Sequence, residues 1–264
     1  MTDDGAQLPG TEIATSTKDA IYVRDVNLVD DLLGKIDFTS MIFFHLRGRL
    51  PEEGELAVLN SVLVGVMEHG LTPSSITARL IYSSSPDAMQ AAVAAGLLGA
   101  GSVFLGVMED AARMLQEGVE AIQAGTVDAD TYAREQLTGR LDAGLTAPGF
   151  GHHIHRPDDP RTPKLLEIAE QHGVAGPHAA LLRVFSRTMD DIKGRHVTVN
   201  ATGAVAAVLS DIGFSWQIVR GFSLIGRSAG LVGHLREEME RPLGRHLWAM
   251  AENDVPYLGK AVQP

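Results

Sequence analysis

Residues 149–161 read GFGHHIHRPDDPR, which sets three histidines, two aspartates and two arginines beside a glycine-rich turn. Imidazole exchanges protons near neutral pH, and a guanidinium grips carboxylates through paired hydrogen bonds. The combination suggests a pocket that binds an acidic substrate and moves one of its protons, with His152 as acid/base and Arg161 as carboxylate clamp. A metal site is the weaker reading, because neighbouring side chains in an extended loop point apart and nearby arginines oppose a cation. A solvated loop is the third. Gly149-Phe150-Gly151 favours the pocket, since glycines let the backbone turn tightly and bring His152 close to a ligand.

Two residues elsewhere carry comparable chemistry. His69 ends the segment SVLVGVMEHG just before a glycine. Taken alone it reads as a helix C-terminal residue, where the carbonyl end of the helix favours a protonated imidazole. Arg227, in FSLIGRSAGLVGH, is a cation on a helix of small apolar residues. Such an arginine needs an anionic partner, either a salt bridge or a ligand carboxylate. Gly226, Gly230 and Gly233 around it read as sites of tight helix packing. GLLGAG at 96–101 follows no strand and precedes no suitably spaced acidic residue, so it is not a dinucleotide turn.

The elements that must position these residues show helical periodicity. Helices are expected in PEEGELAVLNSVLVGVMEHG, in SSSPDAMQAAVAAGLLGAGSVFLGVMEDAARMLQEGVEAIQAG, and in DADTYAREQLTGRLDAG. In the second of these, Ser85 would cap, Pro86 would sit in the first turn, and the glycines from Gly96 to Gly106 would break the stretch in two. DPRTPKLLEIAEQHG, PHAALLRVFSRTMDDIKG, VNATGAVAAVLSDIGF and VRGFSLIGRSAGLVGHLREEMERP follow, the last stopped by Pro242. Short β pieces are expected near Ile21–Val23 and Val197–Val199, and Thr146 to Pro163 forms a long ordered loop. The fold class is all-α.

The chain has 264 residues, 45% of them hydrophobic, enough for one large or two modest domains. Aromatic content is only 5%, while alanine, leucine and glycine are frequent, a mix suited to closely packed helices. A net charge of −11 argues against nucleic acid or an anionic membrane as partner. The absence of cysteine excludes disulfides and thiolate chemistry and fits a cytoplasmic protein. The polar, acidic start, MTDDGAQLPGTEIATSTKD, is unlike a secretory signal and reads as a frayed leader.

Taken in order, these segments resemble the citrate synthase superfamily, most of all the citryl-CoA lyase module of ATP-citrate lyase. The resemblance runs collinearly from about Thr11 to Asp254. FFHLRGRLPEEGEL is similar to the family's Leu-Pro segment before a helix that ends in MEHG. GFGHHIHRPDDPR is similar to its GxGH…DPR loop, with Arg161 nine residues after His152. GRSAGLVGH and RPLGRHLW resemble its C-terminal helix and tail.

The resemblance implies an all-helical, dimeric enzyme. Residues 1–105 would begin a large domain (1–10 disordered), 106–221 would form a small domain carrying the GFGH loop, and 222–264 would return to the large one. The small domain would close over the ligand. His69 would bind the hydroxyl or keto oxygen and a carboxylate of a citrate-like group, and His152 would exchange the hydroxyl proton. Arg161, and Arg227 from a second subunit, would hold carboxylates. Gly149, Phe150 and Gly151 would border coenzyme A, the one cofactor implied; no metal is expected. Phe104 stands where a synthase has the histidine that polarises the thioester, as in the lyase branch. His153 replaces a family arginine and would help bind carboxylate. Thr202, in Asn200-Ala201-Thr202-Gly203, stands where the family's catalytic aspartate would be, with Asp158 or Asp159 as conceivable substitutes.

The expected activity is cleavage of citryl-CoA, or a related 3-hydroxy polycarboxyl-CoA, to acetyl-CoA and a 2-oxo acid such as oxaloacetate. The alternatives are a condensing synthase and a family member that binds acyl-CoA without turnover. No nucleotide-binding motif is present, so a separate CoA ligase or transferase would supply the thioester.

Overall fold

The computed structural model describes residues 10–101, 107–152 and 154–259. The readings placed on the first nine residues, on Phe104 and on His153 lie outside these. Within them the chain is helical, as expected. A small antiparallel sheet, β1 (Ala14–Ser16), β2 (Ile21–Val23) and β3 (Val26–Asn27), has the order β1-β2-β3 and pairs Tyr22 with Thr15 on one side and Asn27 on the other. A π-helical turn at Leu28–Leu32 leads into α1 (Phe38–Arg47). Val23 and Leu32 bury themselves against Phe44, so the sheet serves as a brace for α1.

Local chemistry explains most helix ends. Glu52 and Glu55 form a reciprocal capping box at the start of α2 (Glu53–Met67), and Glu55 also takes Arg49 in a two-pronged contact at 2.6 and 2.7 Å. α3 (Pro73–Ser84) opens with proline in its first turn and a box made by Thr72 and Ser75. α4 (Met89–Leu98) and α5 (Val107–Gln123) lie on either side of Gly99 and Gly101, whereas Gly96, also expected at the break, sits inside α4. α6 (Ala129–Asp142), α7 (Arg161–Gln171), α8 (Pro177–Lys193) and α9 (Ala201–Asp211) follow. Asp211, at the end of α9, caps α8 from outside: its carboxylate accepts the N–H groups of Gly176, His178 and Ala179 at 2.8–3.0 Å. α10 (Trp216–Glu240) ends just before Pro242, and α11 (Gly244–Asp254) completes the order.

α9 is the central strut. Residues 203–210 of it are all buried, and α5, α7 and α8 pack around it. The main core joins these helices to Phe43 of α1, to Val58, Leu59 and Val62 of α2, and to Val219 and Phe222 of α10. A second, smaller core sets Ala78 of α3 and Ala92 of α4 against Leu231 and Leu235 farther along α10. α10 therefore threads both cores. It crosses α2 at very close range: a Cβ on Gly230 would fall 2.2 Å from the Met67 carbonyl, and one on Gly226 3.0 Å from that of Leu63. Gly233 has open space instead, so only two of the three glycines serve the contact expected of them.

Some expectations need correcting. Ser85 does not start a helix. Its N–H donates to the carbonyls of Ile81 and Tyr82 and closes α3, while α4 begins four residues later at Met89. Helices α1, α3 and α11 have no counterpart in the sequence reading, which took the last as a tail, and β1 lies inside the leader expected to be frayed, paired there with β2. Val197–Val199 is not a strand; only Val199 pairs, in a single antiparallel bridge to Phe150. No single helix among the described residues is long and apolar enough to cross a membrane.

Candidate functional site

A cleft of about 630 Å³ opens where α2 ends, where α7 and α9 begin, and along the middle of α10. His69, His152, Arg161, Thr202 and Arg227 all line it, together with Gly151 and Arg156. Residues separated by as much as the length from His69 to Arg227 thus meet in one place. Among its described lining residues there is no carboxylate.

The GFGH loop is stitched to the start of α9. Gly151 donates to the Thr198 carbonyl at 2.7 Å, Asn200 donates to the Gly149 carbonyl at 3.0 Å, and the Asn200 amide donates to the Gly151 carbonyl at 2.8 Å. Gly149 and Gly151 have φ of 86° and 78°, conformations that glycine adopts without strain. A Cβ at Gly149 would lie 2.9 Å from the Cα of Gly203, so the loop and α9 touch backbone to backbone. Of the three residues expected against coenzyme A, only Gly151 lines the cleft. Gly149 faces α9, and Phe150 packs on the main core.

Arg161 and Arg227 are held differently. Asp159, wholly buried, takes the Nε of Arg161 at 3.0 Å and its Nη2 at 2.8 Å, and accepts the N–H groups of Arg161 and Ala201 at 3.1 and 3.0 Å. Burial by itself would raise the pKa of this carboxyl; the guanidinium and the two N–H groups outweigh it and hold the pKa at about 2. Asp159 is therefore a fixed anion, not a replacement for the missing aspartate. Asp158 is engaged too, accepting from His196 at 2.9 Å, while the other ring nitrogen of His196 meets Asp190. Arg227 is buried, and its Nη1 has no hydrogen-bond partner among the described residues; Glu68 stands 3.9 Å away. Desolvation lowers its pKa, Glu68 counters this, and Arg161 adds to it. Arg227 reaches the cleft of its own chain, which corrects the expectation that a second subunit must supply it.

His69 is not the protonated helix cap that its position suggested. α2 stops at Met67, and His69 lies beyond its end. Burial, and then the charges of Arg161, His155 and Arg227, press its pKa below the ordinary histidine value, against a smaller opposing pull from Asp159. It is held neutral. In His152, Nδ1 accepts the N–H groups of Ile154 and His155 at 3.1 and 2.9 Å. A nitrogen that accepts carries no proton, so in the neutral ring Nε2 does. His152 is thereby fixed as a donor.

His155, weighed from the sequence only as one of three loop histidines able to ligate a metal, completes a cluster. Its ring lies 4.3 Å from that of His152 and 5.8 Å from that of His69, centre to centre. One ring nitrogen from each of the three falls within 4.8 Å of the others. The expectation that loop side chains diverge is corrected: the turn folds them together. Two features oppose a cation there. Arg161 and Arg227 both bear on His69, and the proton on His152 Nε2 occupies the lone pair that a metal would need. The signal for His155 was present in the motif itself. Glu68, the residue before His69, was equally near at hand.

The model of the family described as citrate synthase, C-terminal domain, matches residues 12–247. "Putative citrate synthase 2" of Mycobacterium tuberculosis is 31% identical over 197 residues, covering 71% of this chain and 49% of that protein. The chain spans about half the length, or less, of the curated relatives that it matches. The solved structure of citryl-CoA lyase from Hydrogenobacter thermophilus matches with a TM-score of 0.85 and 33% identity, over 98% of this chain and 97% of that one. ATP citrate lyase from Methanothrix soehngenii, solved with citrate and coenzyme A, shares the fold at a TM-score of 0.73 and 22% identity, over 99% of this chain and 44% of that one.

Proposed function

The chain belongs to the citrate synthase family, and on that premise we propose that it is a citryl-CoA lyase-like enzyme. It would cleave citryl-CoA, or a related 3-hydroxy polycarboxyl-CoA, to acetyl-CoA and a 2-oxo acid such as oxaloacetate. The observation that carries this reading is the convergence of two histidines and three arginines, Arg156, Arg161 and Arg227, on a cleft whose described lining offers no carboxylate. Such a cleft favours a polycarboxylate ligand, because it presents guanidinium groups while the carboxylates beside them, Asp159 and Glu68, stand outside its lining. The likeness to a citryl-CoA lyase over nearly the full length of both chains supports the lyase branch.

The protons can be followed through the residues. Because Nδ1 of His152 is engaged by two N–H groups, the base role expected of His152 passes in this proposal to His69, which is neutral at physiological pH and takes the proton of the substrate's tertiary hydroxyl. The Nε2–H of His152 donates to the same oxygen as it becomes a keto oxygen. The carbon–carbon bond breaks, and its electron pair enters the thioester as an enolate. The proton now on His69 balances the one the enolate carbon must gain to give acetyl-CoA. Arg161 and Arg227 hold carboxylates throughout. Thr202 stands where the family has an aspartate to deliver that last proton; a hydroxyl near neutral pH orients a donor rather than acting as one. We assign coenzyme A to the mouth of the cleft beside Gly151. The division into two closing domains, a homodimer, and a partner ligase or transferase belong to the same proposal.

The test is release of oxaloacetate from citryl-CoA by the purified protein, coupled to NADH oxidation by malate dehydrogenase. Turnover that His152→Ala abolishes is the expected result. A folded protein that binds coenzyme A but leaves citryl-CoA intact overturns the lyase reading. Thr202 itself favours one alternative, a binding protein without turnover. Activity gained only in Thr202→Asp would support that alternative.

A further inference from the structure

Behind His69 lies a chain of polar contacts that the proposed chemistry does not use. Arg79 of α3 is 1% exposed, in the smaller core. Its Nη1 meets Glu238 at 2.9 Å, its Nη2 also contacts Glu237, and both Nε and Nη2 reach Nδ1 of His234, at 3.1 and 2.9 Å. Glu238 is anchored in turn by the N–H groups of Leu243 and Gly244. A guanidinium only donates. Nδ1 of His234 is therefore the acceptor, and the ring proton sits on Nε2. Nε2 points at Glu68, 3.1 Å from its Oε1. That same oxygen accepts the N–H groups of His69 and Gly70, each at 2.8 Å, and lies 3.9 Å from Nη1 of Arg227.

We infer that Glu68, held from behind by His234 and Arg79, is a positioning residue: it sets the His69–Gly70 turn and the neighbouring Arg227, an assignment that rests on the functional reading above. Two physical arguments favour this over a role in stability alone. Burying a guanidinium with its partners costs desolvation that their attraction seldom exceeds, so such networks are weak sources of stability. The contacts also form a directed series, from a rigid core, through one fixed imidazole tautomer, to a single carboxylate oxygen at the site. With α3, α10 and the end of α2 tied together, His69 is placed by atoms that never meet the substrate. A shift of about 1 Å in such a group can cost about 100-fold in rate.

The test pairs a readout of His69 with one of activity, using the full chain. His234→Leu removes the link without changing charge, whereas His234→Gln keeps an acceptor for Arg79 and a donor for Glu68. In the unliganded protein, the ring signals of His69 are titrated by NMR; the groups that face the ring are Arg161, Arg227, His155, Asp159 and His152, whose ring centre lies 5.6 Å away. The expected result is a His69 midpoint raised in His234→Leu, as the ring leaves its buried, cation-lined seat, and restored in His234→Gln. Citryl-CoA cleavage should follow, with kcat falling about 10- to 100-fold, KM changing less, and the glutamine variant recovering most of the rate. An unchanged His69 titration in folded His234→Leu overturns the inference. Should that variant fail to fold, Glu68→Ala and Glu68→Gln lose the same charge, but only the second keeps an acceptor. Identical His69 signals in those two overturn it, and different signals support it. If the NMR pattern appears while the wild-type protein leaves citryl-CoA intact, the positioning stands and the lyase reading falls.

Discussion

Arg161 and Arg227 face one cleft, yet Arg161 is gripped on two nitrogens by the buried Asp159, while Arg227 stands 3.9 Å from Glu68 with no hydrogen-bond partner for its Nη1 among the described residues. The first is a finished ion pair that also joins the histidine loop to the start of α9, through the Ala201 N–H. The second is an unfinished one. A polycarboxylate entering the cleft would gain most from the arginine that has least, whereas Arg161 offers a direction already fixed. The difference separates a cation that builds the site from one that waits for its ligand.

Asp159→Ala tests the finished half and should have the largest effect. Removing one partner of a buried pair typically costs about 3 kcal/mol or more, so urea unfolding should show the midpoint collapse; a cost below about 1 kcal/mol would erase the contrast. Arg227→Ala tests the other half. We expect KM for citryl-CoA to rise about 30-fold, from the loss of about 2 kcal/mol of charged hydrogen bonding, with thermal stability unchanged or higher. A clear fall in stability would mean that Arg227 is structurally paired after all.

Acid titration sharpens the same comparison at smaller scale. The pKa of Asp159 lies below its unfolded value of 3.8, so its contribution is whole above that pH and is lost as pH falls from there through about 2. The shift corresponds to roughly 2 kcal/mol. In Asp159→Asn this part of the pH dependence should vanish from unfolding curves recorded between those limits. The smallest effect concerns His69, whose pKa is lowered chiefly by burial and then by Arg161, His155 and Arg227. The acid limb of kcat/KM should lie below the ordinary histidine value of 6.5, and Arg227→Ala should move it upward, since one cation is gone. A downward move would contradict the assigned electrostatics.

Much of this was legible in the sequence, for reasons of range. The loop from Gly149 to Arg161 presents its chemistry within a few residues, and helices such as α8 announce themselves by a proline start and a glycine stop. α3 escaped notice because PSSITARLIYSS is rich in serine, threonine and isoleucine, which disfavour helix; its form depends on Pro73, the Thr72–Ser75 box and packing against α4. The neutral state of His69 was hidden too, because it depends on cations brought in from distant segments. Least legible of all was the Arg79–His234 contact, which spans 155 positions and carries no local signature.

The glycine-to-glycine seam between the histidine loop and α9 has a further consequence. Since Gly149 and Gly203 leave no room even for a methyl group between them, neither segment can be reshaped without the other, and the address of position 202 is set by backbone alone. Whatever side chain occurs there is delivered to the same cleft as His152. The scaffold thus behaves like a tool holder with one exchangeable bit: a single codon changes the bit, and the alignment is inherited.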